Sequence, residues 1–108
     1  MSELLLLKQK FVRLLPRLID FAYEQGWALT LSDLGNQQGL IHMNNSLHEL
    51  GLAADLNLFL NGVYQKTACP EWTAIGEFWE GLDPDCRWGG RFASGDANHF
   101  SLGYGGRE

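Results

Sequence analysis

Long apolar runs are missing from this sequence. The segment Leu4 to Leu7 is broken at once by Lys8 and Lys10. It falls far short of the roughly 20 apolar residues that span a bilayer. It is also shorter than the apolar stretch of about 7–15 residues in a secretory signal. The chain is therefore expected not to insert in a membrane, and to be made in the cytoplasm without an export signal of its own. Basic residues are scarce as well: 8 Lys and Arg stand against 13 Asp and Glu, a formal charge of −5. Phosphate backbones are bound by clustered cations, so nucleic acid is not expected as a partner. The one basic cluster, Lys8, Lys10, Arg13 and Arg17, has the spacing of the solvent face of a helix. Cysteine is limited to Cys69 and Cys86. Neither has a close Cys or His neighbour with which to hold a metal, and nothing calls for a disulfide, so two reduced thiols are expected. Histidine occurs three times, as His42, His48 and His99, which confines any imidazole chemistry to a short set of candidates.

What is present suits one globular domain spanning residues 1–108. With 45% hydrophobic and 19% charged residues, the chain can fill a core and is not of disordered composition. Leu4, Leu7, Phe11, Leu14, Leu15, Leu18 and Ala22 recur at three- and four-residue steps, one face of a helix closed by Gly26. Pro16 lies inside it, so the helix either kinks there or begins there. Ala28 to Leu31 reads as a short strand, and Ser32 to Asn45 as loop. Ala53 to Leu60 alternates in the manner of a half-buried strand. Asn61-Gly62 then turns the chain into Val63-Tyr64, a hairpin signal, because both residues accept positive φ. Pro70-Glu71 opens a second helix with Trp72, Ile75, Phe78 and Trp79 as its stripe and Gly81 at its end. Asp83 to Gly95 reads as a Gly-rich loop, and Asn98 to Leu102 as a closing strand. No repeat or linker divides the chain, and the element order is that of an α+β fold with an antiparallel sheet.

Asp55 interrupts the apolar stretch Leu50 to Leu60, where a carboxylate is costly unless paired or bound to metal. His48 stands seven residues earlier. His99 lies near the last strand, with Asp96 three residues before it. Catalytic zinc takes three protein ligands from His, Asp, Glu or Cys and leaves a position for water. A carboxylate beside that position can accept a proton. Taken alone, each of these signals is weak, and the same residues read more simply as a structural histidine and a solvent-facing aspartate.

Ser46-Leu47-His48-Glu49-Leu50-Gly51-Leu52-Ala53-Ala54-Asp55 resembles the Ser-x-His-x-x-Gly-x-Ala-x-Asp signature of the D-Ala-D-Ala carboxypeptidase (VanY-like) metallopeptidases. That family includes phage endolysins cutting the L-alanyl-D-glutamate bond. Asp96-Ala97-Asn98-His99 is similar to the second motif of the family, and Trp88-Gly89-Gly90-Arg91-Phe92 to the segment before it. The resemblance implies zinc on His48, Asp55 and His99, with Asp96 as general base. It also implies a Hedgehog/DD-peptidase-like fold, a small antiparallel sheet flanked by helices. The expected substrate is the peptide stem of peptidoglycan, cut by a monomer that reaches the wall through a membrane pore made by another protein, as in phage lysis. Two other readings fit the same residues: a D,D-carboxypeptidase releasing terminal D-Ala, and a silent, zinc-stabilised wall-binding module.

Around these motifs several roles stay open. Ser46 is either a support for the first ligand or a helix N-cap with Glu49 as its capping-box partner. Trp88 is a candidate to line a substrate groove. His42 has no assignable part in the motifs. Many relatives carry an Arg between the first strand and the His motif, whereas Leu29 to Asn45 contains none here. Arg91 is either its electrostatic substitute or an ordinary surface residue.

Overall fold

The computed structural model describes residues 2–32, 47 and 50–106. Helix α1 runs Glu3–Glu24, followed by strands β1 (Ala28–Leu31), β2 (Ala53–Leu60) and β3 (Val63–Tyr64). Helix α2 (Pro70–Leu82), strand β4 (Cys86–Trp88), a 3-10 turn (Gly89–Arg91) and strand β5 (His99–Leu102) complete the chain. The architecture is α+β: two helices and a small antiparallel open sheet ordered β1-β2-β5-β4, with β3 also pairing β2.

Helix α1 is continuous through Pro16, which rules out a late start. Ser2 caps it by accepting from the Leu5 amide at 3.1 Å. Leu7, Phe11, Leu14, Leu18 and Ala22 form its buried stripe. Pro16 is exposed, as is Val12, whose carbonyl loses its amide partner to the proline. The basic face is solvent-facing as expected except at Lys10. Its ammonium reaches Asp83 at 3.3 Å and Asp85 at 3.2 Å, tying α1 to the turn after α2. The hydrogen bond to Asp85 leads in raising the Lys10 pKa.

Alternation in β2 sends Ala54, Leu56 and Leu58 into the core and leaves Asp55, Asn57 and Phe59 half-buried on the other face. Asn61 (φ 51°) and Gly62 (φ 81°) make the tight turn to β3. One edge of β2 pairs with β1. The other is shared: β5 takes Ala53 to Asp55, and β3 takes Phe59 and Leu60.

Helix α2 ends one residue beyond Gly81 and buries Trp72, Ile75, Gly76 and Trp79. Both helices pack on the sheet and on each other. Trp79 joins the layers: Phe11 and Phe100 meet its ring edgewise at 5.8 and 6.1 Å. Its indole N–H donates to the carbonyls of Arg87 and Ser101, both at 3.1 Å. The segment expected as a loop from Asp83 to Gly95 holds β4, a correction to the sequence reading. Three residues are too few to show alternation, and β4 exists because β5 pairs with all of it, Cys86 with Leu102 and Trp88 with Phe100.

Candidate metal centre and its cleft

Asp55 and His99 are directly opposed across the β2–β5 pair. Residues in register on adjacent strands project to the same side, so the register alone aims both at one point. His99 Nδ1 lies 3.4 Å from Asp55 Oδ1, with His99 buried and Asp55 half-buried. Asp96 completes the group: one ligand atom from each of Asp55, Asp96 and His99 lies within 4.8 Å of the others.

The loop before β5 is held to the 3-10 turn. The Asp96 amide donates to the Gly89 carbonyl at 2.8 Å, and the His99 amide donates to the Asp96 carbonyl at 3.1 Å. Gly89 is required by space: a Cβ there would collide with the Asp96 carbonyl oxygen and stand 2.8 Å from His99 Cβ. Farther out, the Leu56 amide donates to the Asn98 carbonyl at 2.9 Å, fixing this loop to β2. The Phe92 ring packs 5.4 Å from the imidazole. Trp88 is wedged between Gly76 and Gly90, both of which a Cβ would drive into its ring. Its indole N–H donates to the Ala97 carbonyl at 2.8 Å.

This donor set fits zinc. Imidazole nitrogen and carboxylate oxygen are among its preferred ligands, at about 2.0–2.2 Å. Two tetrahedral ligands of one ion at that distance stand about 3.3–3.6 Å apart, a separation that follows from the same bond lengths. The His99–Asp55 spacing of 3.4 Å matches it. His48, the third expected ligand, lies outside the described residues, as do Ser46, Glu49 and His42. Leu47 is described and buried, and its carbonyl accepts from the Leu52 amide at 2.8 Å in the turn that feeds β2.

A cleft of about 610 Å³ reaches the donor cluster at Asp96. Trp72, Trp88 and Leu56 supply its apolar lining. The segment after β3, Gln65 to Ala68, supplies one wall. The cleft therefore opens along the β2 edge that β5 and β3 share. Trp88 lies on it. Arg91 also lines it, but its guanidinium is engaged. It makes a two-pronged pair with Glu80, both contacts at 3.0 Å, and a longer one of 3.6 Å to Glu77, and it sits 5.3 Å over Trp88. The Glu80 hydrogen bonds lead in raising the Arg91 pKa. Lys66, Tyr64 and Gln65 were not foreseen as cleft residues, since a two-residue return strand carries no signal of what lies beside it. The Gly89-Gly90 pair was the legible hint of a tight approach.

The family model described as D-alanyl-D-alanine carboxypeptidase, within the M15 peptidases, matches residues 42–102. No curated protein matches the chain. The match spans both motifs, every described member of the donor cluster and the whole cleft wall. With more than half of its residues covered, the chain belongs to the D-alanyl-D-alanine carboxypeptidase family of M15 peptidases.

Proposed function

We propose that this chain is a zinc peptidase of peptidoglycan that hydrolyses the L-alanyl-D-glutamate bond of the peptide stem. The observation that carries this reading is the convergence of Asp55, Asp96 and His99 beside a cleft that Asp96 lines, in a chain of the M15 family. In this reading His48, Asp55 and His99 hold the zinc, and Asp96 is the general base.

Zinc in such a site polarises a carbonyl and makes water acidic enough to deprotonate near pH 7. The protein does the rest. The cross-strand pair gives Asp55 and His99 fixed directions, with little freedom to lose on binding an ion. Asp96 takes one proton from the attacking water. As the water oxygen bonds to the scissile carbonyl carbon and the carbon–nitrogen bond breaks, that proton passes to the leaving amine. Trp88 and Trp72 exclude water from the apolar side of the cleft, which strengthens the electrostatic contacts made there. The enzyme acts as a monomer on the cell wall, after release through a membrane pore in a phage-type lysis. That setting draws its support from the motif resemblance.

The family description favours a second reading, a D,D-carboxypeptidase that releases terminal D-Ala. Mass spectrometry of digested sacculi separates the two. The endopeptidase exposes a new amine on D-glutamate without new reducing sugar ends. Release of free D-Ala alone overturns the endopeptidase assignment, and no product from zinc-loaded protein overturns both.

A further inference from the structure

Both candidate bonds share a chemical feature on the leaving side. Terminal D-Ala ends in a carboxylate. D-Glutamate extends the stem through its side-chain carboxyl and so keeps its α-carboxylate free. An enzyme for either bond has reason to place a cation past the scissile position. In this chain, of net charge −5, the described lining of the cleft contains two cations, Lys66 and Arg91, and one carboxylate, Asp96.

The two cations are not equivalent. Arg91 is already matched by Glu80 and Glu77 on α2, and a guanidinium so engaged has little charge to offer a ligand. Lys66 is exposed and forms no ion pair among the described residues. It stands in the wall after β3, whereas Asp96 comes from the loop before β5. Since β3 and β5 hold different stretches of the same β2 edge, the cleft has Asp96 of the donor cluster at one wall and, at another, a cation with no ion pair among the described residues. A lysine suits this task as a mobile point charge on a flexible stem.

We propose that Lys66 is the specificity-determining cation of the cleft, pairing with the free carboxylate of the residue on the leaving side of the scissile bond. The proposal rests on the peptidase reading.

The test uses the full-length protein and Lys66→Met and Lys66→Arg variants, with two peptide pairs. One pair contains L-Ala-γ-linked D-Glu as free α-carboxylate or α-amide. The other ends in D-Ala-D-Ala as free acid or amide. Steady-state kinetics are measured on zinc-loaded protein and calorimetric binding on zinc-free protein. The expected result is a KM about tenfold higher for Lys66→Met on the carboxylate form of the cleaved pair, with kcat unchanged. That pattern marks a contact made equally in ground and transition states. The amide form should be handled alike by all three proteins, and Lys66→Arg should restore most of the loss. The pair that shows the effect identifies which carboxylate is read. Equal KM and equal binding of acid and amide by the unsubstituted protein overturn the proposal. If no peptide is cut but the acid form still binds more tightly, and Lys66→Met removes that preference, then the peptidase reading fails while the role of Lys66 stands.

Discussion

Replacing Gly89 by Ala tests whether the turn before β5 sets the geometry of the donor cluster. The new methyl would collide with the Asp96 carbonyl oxygen and lie 2.8 Å from His99 Cβ. Carbon atoms in contact prefer about 3.5–4.0 Å, so the Asp96–His99 loop must retreat by roughly 1 Å. Overpacking of this kind costs about 1–3 kcal/mol, which for a domain near 100 residues lowers Tm by roughly 4–24 °C. The sharper effect falls on function, since a misplacement of about 1 Å at a catalytic group costs on the order of 10²-fold. Gly81→Ala is the control: it lies in α2, exposed, with nothing within 4 Å of a new Cβ. It should raise stability by about 0.5–1 kcal/mol, the usual helix preference for Ala over Gly. The assays are melting in excess chelator, zinc affinity by chelator competition and turnover on purified sacculi. If Gly89→Ala keeps unaltered zinc affinity and turnover, the contact between Gly89 and the Asp96 loop does not position the site, and the reasoning fails.

Three further predictions concern individual side chains. His99→Ala should lower zinc content and abolish lysis, whereas His42→Ala should leave both nearly intact; full zinc occupancy in His99→Ala would remove His99 from the ligand set. Asp96→Asn should keep zinc and fold while turnover drops by about 10²–10⁴-fold. If it stays active with zinc bound, Asp96 is not the base, and Glu49 becomes the next candidate. Burial pushes the Cys86 thiol up to about 12, so native protein at pH 8 should be alkylated at half-buried Cys69 and spared at Cys86 until it unfolds. Equal labelling of both in the native state would contradict the packing around β4.

The helices, β2 and its hairpin were legible because each carried its own local chemistry. The stripe from Leu7 to Ala22, the alternation from Ala53 to Leu60 and the Asn61-Gly62 turn all depend on neighbours in sequence. So did the anomaly of Asp55, a carboxylate among apolar residues. Strand β4 was not legible, because its three residues become a strand only through pairing with β5. The ion pairs of Lys10 and Arg91 were hidden for the same reason: Asp85 and Glu80 are partners supplied by the fold. The motifs named Asp55, Asp96 and His99 together, but their meeting depends on the Asp55–His99 register, which no local pattern states. The expected roles of His48, Ser46 and His42 lie outside the described residues.

The opposition of Asp55 and His99 would make a metal ion held there a clasp between distant parts of the chain. Strand β3, helix α2 and strand β4 all lie between the two residues in sequence. An ion bound to both closes that whole loop, the case in which a cross-link removes most freedom from the unfolded chain. Its binding energy is then also folding energy, about 2.7 kcal/mol when free metal stands at 100 times its Kd. Zinc-poor surroundings leave the β2–β5 seam to its own hydrogen bonds and the packing of Phe100. If the proposed zinc is held there, resistance to proteolysis along this seam should rise and fall with metal supply, a change that limited proteolysis with and without chelator measures.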